Sequence, residues 1–260
     1  MEKIDFNNIL HRKEIESSII SFLANFKSSR NNLLNKRGIY LSGTPGVGKT
    51  EFITRLLKAN NFDCVLYNAS DVRNKTIIET ITKHNMSDRN VISMFYNKTN
   101  PIVIVMDEID GMNSGDKGGI NALIKLIRPK KTKKQLTENI TSNPIICIGN
   151  HETDKKIKEL TKVCIPFVLE EPTNDQVKKI IHTLFPTLKR NKKHTHNAVH
   201  FIGGDLRRLQ TLYDITSRNN NILPKFLSVT HPRKYYSEDA KSTTKYLFDA
   251  EVPMNLHTRV

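Results

Sequence analysis

The 260-residue sequence contains no apolar run approaching the roughly 20 residues that a membrane-crossing helix needs. Its first five residues carry acidic charge and lead into no apolar segment, so a secretory leader is not expected. Cysteine is scarce: Cys64, Cys147 and Cys164 are odd in number, widely spaced and set in apolar stretches. That usage argues against a disulfide framework and against a structural zinc cluster, and fits reduced, buried thiols in an intracellular protein. No internal repeat is visible. The one low-complexity stretch is the Lys/Thr-rich segment 129–142, expected to be a solvated loop.

What is present supports a folded core. Hydrophobic residues make up 37%, enough to support a core, and charged residues 26%, an ordinary figure for a soluble chain. The length suits one α/β domain with a small appended domain. The net charge of +15 points to a polyanionic partner, because Lys and Arg on a phosphate backbone release condensed counterions. A compositional bias toward Lys and Asn gives the same charge, so charge alone argues weakly for nucleic acid.

Hydrophobic periodicity orders the chain. Ile15, Ile19, Ile20, Leu23 and Phe26 fall at helical spacing. Short apolar runs at 38–41, 64–67, 102–106, 145–148 and 165–168 read as strands, and 102–106 is apolar throughout, as a strand covered on both faces should be. Helices are expected from Lys49 onward, at 75–82 and at 119–127. Strands alternating with helices indicate a mostly parallel α/β sheet. After Pro172 the pattern becomes helical only, at 173–185, 196–202 and 205–216. The expected division is an α/β domain at 1–170, a helical lid at 171–221 and an extension at 222–260.

Chemistry concentrates at Gly43, Thr44, Pro45, Gly46, Val47, Gly48, Lys49 and Thr50, which fit the phosphate-loop pattern of Gly, four residues, Gly-Lys-Thr. Its glycines let backbone amides turn toward phosphate oxygens, and the following helix points its positive end at the same place. Lys49 can reach the β- and γ-phosphates of ATP, and the Thr50 hydroxyl can ligate Mg2+. The setting between a strand and an amphipathic helix is the context the pattern requires. Asp107 and Glu108 close the strand 102–106: Asp107 suits metal support, and Glu108 suits polarising an attacking water as general base. Asn150 ends another strand, where it is either a turn residue or a group that orients water or γ-phosphate. Arg207 opens a lid helix and is either a surface arginine or a cation facing the γ-phosphate across the interdomain cleft. His194, His196 and His200 have no adjacent Cys or acidic residue to complete a metal site and read as solvated.

This ordered set resembles the Walker A, Walker B, sensor 1 and sensor 2 series of AAA+ ATPases. More specifically it resembles the clamp loaders, through Asn68-Ala69-Ser70-Asp71-Val72-Arg73, Met106-Asp107-Glu108-Ile109-Asp110-Gly111-Met112 and Asp116-Lys117-Gly118-Gly119-Ile120. The Asp-Gly-Met and Lys-Gly-Gly-Ile elements are more typical of the large subunit of replication factor C than of its small subunits. The resemblance covers about residues 37–215. It implies a five-stranded parallel sheet of order 5-1-4-3-2, a three-helix lid, and a spiral of subunits that opens a sliding clamp and loads it on primer–template DNA. Small subunits and the clamp are then the implied partners, with the nucleus, or a site of viral DNA replication, as the implied location.

Within the same resemblance, Arg73 matches a position pointing toward the DNA backbone. Thr161-Lys162-Val163-Cys164 occupies the place of a Ser-Arg-Cys motif, with Val163 where the arginine finger would be. The chain is therefore expected to lend no such arginine and to need one from a neighbour. Two departures stand out: no BRCT-like region at the start, and about 40 residues after the lid, too few for a collar. Segment 130–142 looks inserted, and its Lys130 and Lys131, with Lys133 and Lys134, are candidate contacts to DNA phosphate or simply solvated. Two other functions stay open: a non-catalytic ATP-binding scaffold of the same assembly, and another AAA+ remodeller such as a helicase loader.

Overall fold

A computed structural model describes residues 6–29, 32–68, 100–113, 118–138, 140–150 and 155–218. The expected helix at 75–82, Arg73 and the extension at 222–260 lie outside these residues. Five strands, β1 (Gly38–Gly43), β2 (Asp63–Asn68), β3 (Ile102–Asp107), β4 (Ile145–Ile148) and β5 (Ile165–Leu169), form one sheet in the order β2-β3-β4-β1-β5. Every pairing is parallel, and the order is the expected 5-1-4-3-2.

The two-residue strand period divides the core between the sheet's faces. Ile39, Leu41, Val103, Val105, Ile146 and Ile148 pack against α2 (Lys13–Ser29) and α3 (Lys49–Ala59). Tyr40, Ile104, Met106, Ile145 and Cys147 pack on the other side, against α4 (Gly119–Ile127) and α6 (Lys155–Val163). The three central strands are thus buried on both faces, which explains why their sequences are apolar apart from Ser42 in β1 and the terminal Asp107 of β3. The edge strands β2 and β5 are part exposed, and the edge position of β5 accommodates Pro166, which has no N–H to donate. Cys147 and Cys164 are buried and Cys64 half-buried, all three free thiols. A hydrogen bond with Cys164, then burial, raises the Cys147 thiol well above its ordinary range.

Helix α6 was not foreseen from periodicity. Lysines fill much of its nine residues, and its fully buried side chains are Ile157 and Leu160. Segment 129–142 is also more ordered than a solvated loop. It contains the short α5 (Lys133–Leu136), whose start is fixed by a reciprocal capping box between Thr132 and Gln135.

Beyond β5 the described residues are helical. α7 (Asn174–Leu184), a 3-10 turn (Pro186–Arg190), α8 (Lys192–Ile202) and α9 (Leu206–Arg218) enclose Val177, Ile180, Ile181, Ala198, Ile202, Leu209 and Leu212. α8 begins four residues before the expected 196, because Asn191 caps it by accepting from the His194 N–H. An unexpected N-terminal turn, α1 (Phe6–Ile9), packs on α7 and adds Leu10 to the lid core.

Leu160 is fully buried between α6 and the sheet. Leu160→Ala should lower the unfolding free energy by about 2–5 kcal/mol, read as a drop in the urea midpoint at unchanged slope.

Candidate active site

Strand β1 ends at Gly43 and α3 begins at Lys49, so the phosphate loop is held between a central strand and a helix start. Gly46 (φ +87°) and Gly48 (φ +83°) take left-handed backbone that other residues rarely adopt. Helix α3 is anchored by Phe52, Ile53, Leu56 and Leu57, all buried, which fixes where its positive end points.

Lys49 is almost entirely buried, 9% exposed. Its ammonium donates to Gly43 O (2.9 Å), Thr44 O (3.1 Å) and Asn150 Oδ1 (2.8 Å). Burial pulls its pKa below the usual lysine value; Asp110 and Asp107 oppose that shift, and the nearby Arg207 adds to it. The Thr50 hydroxyl donates to Asp107 Oδ2 at 2.7 Å, and the Glu108 N–H donates to Asp107 Oδ1 at 2.9 Å. The adjacency of β1, β3 and β4 makes this convergence possible, because Asp107 ends β3 and Asn150 follows β4.

Glu108 sits at φ +54°, a left-handed conformation that costs a non-glycine residue about 1–3 kcal/mol. Its carboxylate is exposed and accepts from the Asn68 side-chain amide at 3.2 Å. Asn68 ends β2, the edge strand paired directly with β3 (Asn68 opposite Asp107), so the base candidate is held by the neighbouring strand.

The lid completes the cleft. The Leu206 N–H donates to Gly46 O at 2.9 Å, tying the start of α9 to the phosphate loop. Asp205 accepts from the Arg207 N–H at 2.9 Å and lies so close to Gly46 that a Cβ there would sit 2.2 Å from its Oδ1. Arg207 is exposed to the cleft, and among the described residues no carboxylate pairs with its guanidinium. Together these elements bound a cleft of about 650 Å³ lined by Lys49, Thr50, Asp107, Glu108, Asn150 and Arg207.

Several contributors carry no local signature. Arg12, 5% exposed, donates to Val47 O at 3.0 Å and lies over the Phe52 ring at 6.0 Å. Burial pulls its guanidinium down to about 10, which leaves it charged at neutral pH. No motif surrounds Arg12 in the sequence, and only the fold places it. Asp110 accepts from the Asn150 N–H and so orients sensor-like Asn150; the carboxylate-rich run 107–110 was its one sequence signal.

The DNA candidates fare differently. Lys130 is 3% exposed, with its ammonium held by Glu138 Oε2 at 3.1 Å and by Lys125 O. It is a buried, paired lysine and presents no charge to a phosphate, contrary to the expectation for this segment. Lys131 is exposed. Val163 ends α6 half-buried, packed against the core below the sheet.

Residues 39–167 match the ATPase family associated with various cellular activities (AAA). The fold alone is shared with the Thermotoga maritima RuvB Holliday junction branch migration motor, at TM-score 0.51 and 16% identity, over 83% of this chain and 68% of that one. The chain belongs to the AAA+ family. Within that class it is similar to replication factor C large subunits. It is 31% identical over 190 residues to replication factor C subunit 1 of Arabidopsis thaliana, covering 68% of this chain and 19% of that protein. It is 34% identical over 151 residues to replication factor C subunit 1 of Drosophila melanogaster (56% and 14%). To the replication factor C large subunit of Methanococcus aeolicus it is 30% identical over 154 residues (55% and 31%). The chain thus matches between about a seventh and a third of the length of these curated relatives.

Because a Cβ at position 46 would collide with Asp205 and require unfavourable backbone, Gly46→Ala should loosen the lid from the phosphate loop. Affinity for a fluorescent ATP analogue should fall at least about ten-fold, about 1.4 kcal/mol, in an equilibrium titration.

Proposed function

We propose that this chain is a Mg2+-dependent ATPase subunit of a clamp loader, which uses ATP to place a sliding clamp on primer–template DNA during replication. The observation that carries the reading is the meeting of Lys49, Thr50, Asp107, Glu108, Asn150 and Arg207 on one cleft between core and lid. The relationship to replication factor C large subunits supports the assembly and its partners, small subunits and clamp.

The residues divide the work as follows. ATP phosphates take the place of the backbone carbonyls around the Lys49 ammonium, and the loop amides and the α3 N-terminus bind the same anion. Asn150, already joined to Lys49 and fixed by Asp110, stands beside the γ-phosphate. Arg207 meets that phosphate from the lid, so the triphosphate closes α9 onto the phosphate loop. The oxygens of Thr50 and Asp107, 2.7 Å apart, are the hard donors Mg2+ prefers, and the ion bound there would neutralise phosphate charge. Glu108 takes the proton of the attacking water once its carboxylate leaves Asn68. With Val163 in place of an arginine, this chain lends no finger there, and its own site takes one from a neighbouring subunit.

Lys49→Ala should abolish ATP binding. Glu108→Gln should keep ATP binding within about two-fold while lowering turnover about 10²–10⁴-fold, measured in the assembled complex with its other sites disabled. Wild-type turnover by Glu108→Gln would instead favour an ATP-binding scaffold.

A further inference from the structure

The lid carries a second concave site, sharing no lining residue with the ATP cleft, of about 560 Å³ between α7, the 3-10 turn and α8. The folding of the lid creates it. α7 turns Val177, Ile180 and Ile181 into the lid core, and α8 turns in Thr195, Ala198 and Ile202. Lys178 and His182 are left one helical turn apart along α7. Lys192, His196 and His200 are left at four-residue intervals along α8, a stripe of about 12 Å. Lys189 adds a further cation from the 3-10 turn. The two stripes line one groove whose single carboxylate is Asp175.

Three lysines are thereby held in a concave site without neutralisation. Lys178, Lys189 and Lys192 are exposed, and among the described residues none is paired with a carboxylate. Mutual repulsion of such cations goes unrewarded in the isolated chain and is relieved by a polyanion. The histidines do not make this a metal site, since among the described residues no three His, Cys, Asp or Glu side chains are placed to hold an ion. The lining also offers little to an acidic peptide's apolar side chains: Val199 is its one aliphatic hydrocarbon side chain, and it has no Phe, Tyr or Trp. What remains is a row of ammonium and imidazole N–H donors suited to successive phosphates.

We propose that this lid groove binds the phosphate backbone of nucleic acid, independently of base sequence and at a site separate from the ATP cleft. The inference stands on the groove's own chemistry and survives or fails apart from the ATPase reading.

The test measures binding of the full chain to a labelled random-sequence DNA duplex by fluorescence anisotropy, titrated between about 50 and 200 mM salt. The variant is Lys178→Ala/Lys189→Ala/Lys192→Ala. The control, Lys155→Ala/Lys158→Ala/Lys162→Ala, removes the same charge from α6. The groove variant should bind more weakly, with its log–log salt slope smaller by about two to three, while the control changes by less than one. Melting temperature and ATP affinity of both variants should match wild type, which separates this result from misfolding and from loss of the ATP site. An unchanged slope in the groove variant overturns the proposal, as does an equal fall in the control. Lysine-dependent binding of poly-glutamate without any lysine-dependent binding of DNA would also overturn it, assigning the groove to an acidic protein.

Discussion

A buried ammonium has to be held by oxygens, and in this chain that constraint organises the active site. Lys49 leaves water at the start of α3 and is satisfied by two carbonyls of its own loop and by Asn150 at the end of β4. Only the placement of β4 beside β1 brings the third oxygen within reach. The loop must curl back on itself to supply the other two, which the left-handed backbone at Gly46 and Gly48 allows. Desolvation disfavours the charged form of Lys49, and the nearby Asp110 and Asp107 oppose that shift.

The same loop is the point of attachment for the lid. Gly46 gives its carbonyl to Leu206 and its missing side chain to Asp205, while Val47 gives its carbonyl to the buried Arg12. Gly204 repeats the device one step back, since a Cβ there would overlap the Glu171 carboxylate. A rearrangement of the loop would therefore move its contacts to α9 and to the N-terminal segment together. The lid and the N-terminal segment are thus both joined to the phosphate loop by hydrogen bonds to adjacent residues, Gly46 and Val47.

The sheet was legible because its central strands are buried on both faces and so are mostly apolar. The phosphate loop, Asp107 and Glu108 were legible because their chemistry is contiguous in sequence. Helix α6 escaped because lysines mask its two core residues, and α1 because four residues show no period. Lys130 was misread for a related reason: a lysine run signals surface, and nothing local reveals that Glu138 and the Lys125 carbonyl wait for one member of it. Arg12, Asp110 and the grip of Asn68 on Glu108 depend on contacts between separate elements, which a one-dimensional pattern does not contain. The lid groove is intermediate. Its histidine spacing was visible, but the facing stripe on α7 and the cation from the 3-10 turn appear only when the helices pack.

The central claim is that core and lid form one site whose lid arginine meets the γ-phosphate. Calorimetric titration of ATP and of ADP into wild-type and Arg207→Ala chains, with Mg2+, tests it most directly. The account predicts that the substitution weakens ATP by about ten-fold or more while leaving ADP within about two-fold, because a charge-assisted contact to the terminal phosphate is lost. Equal affinities of both nucleotides for the two chains, or an equal loss for ATP and ADP, would contradict it.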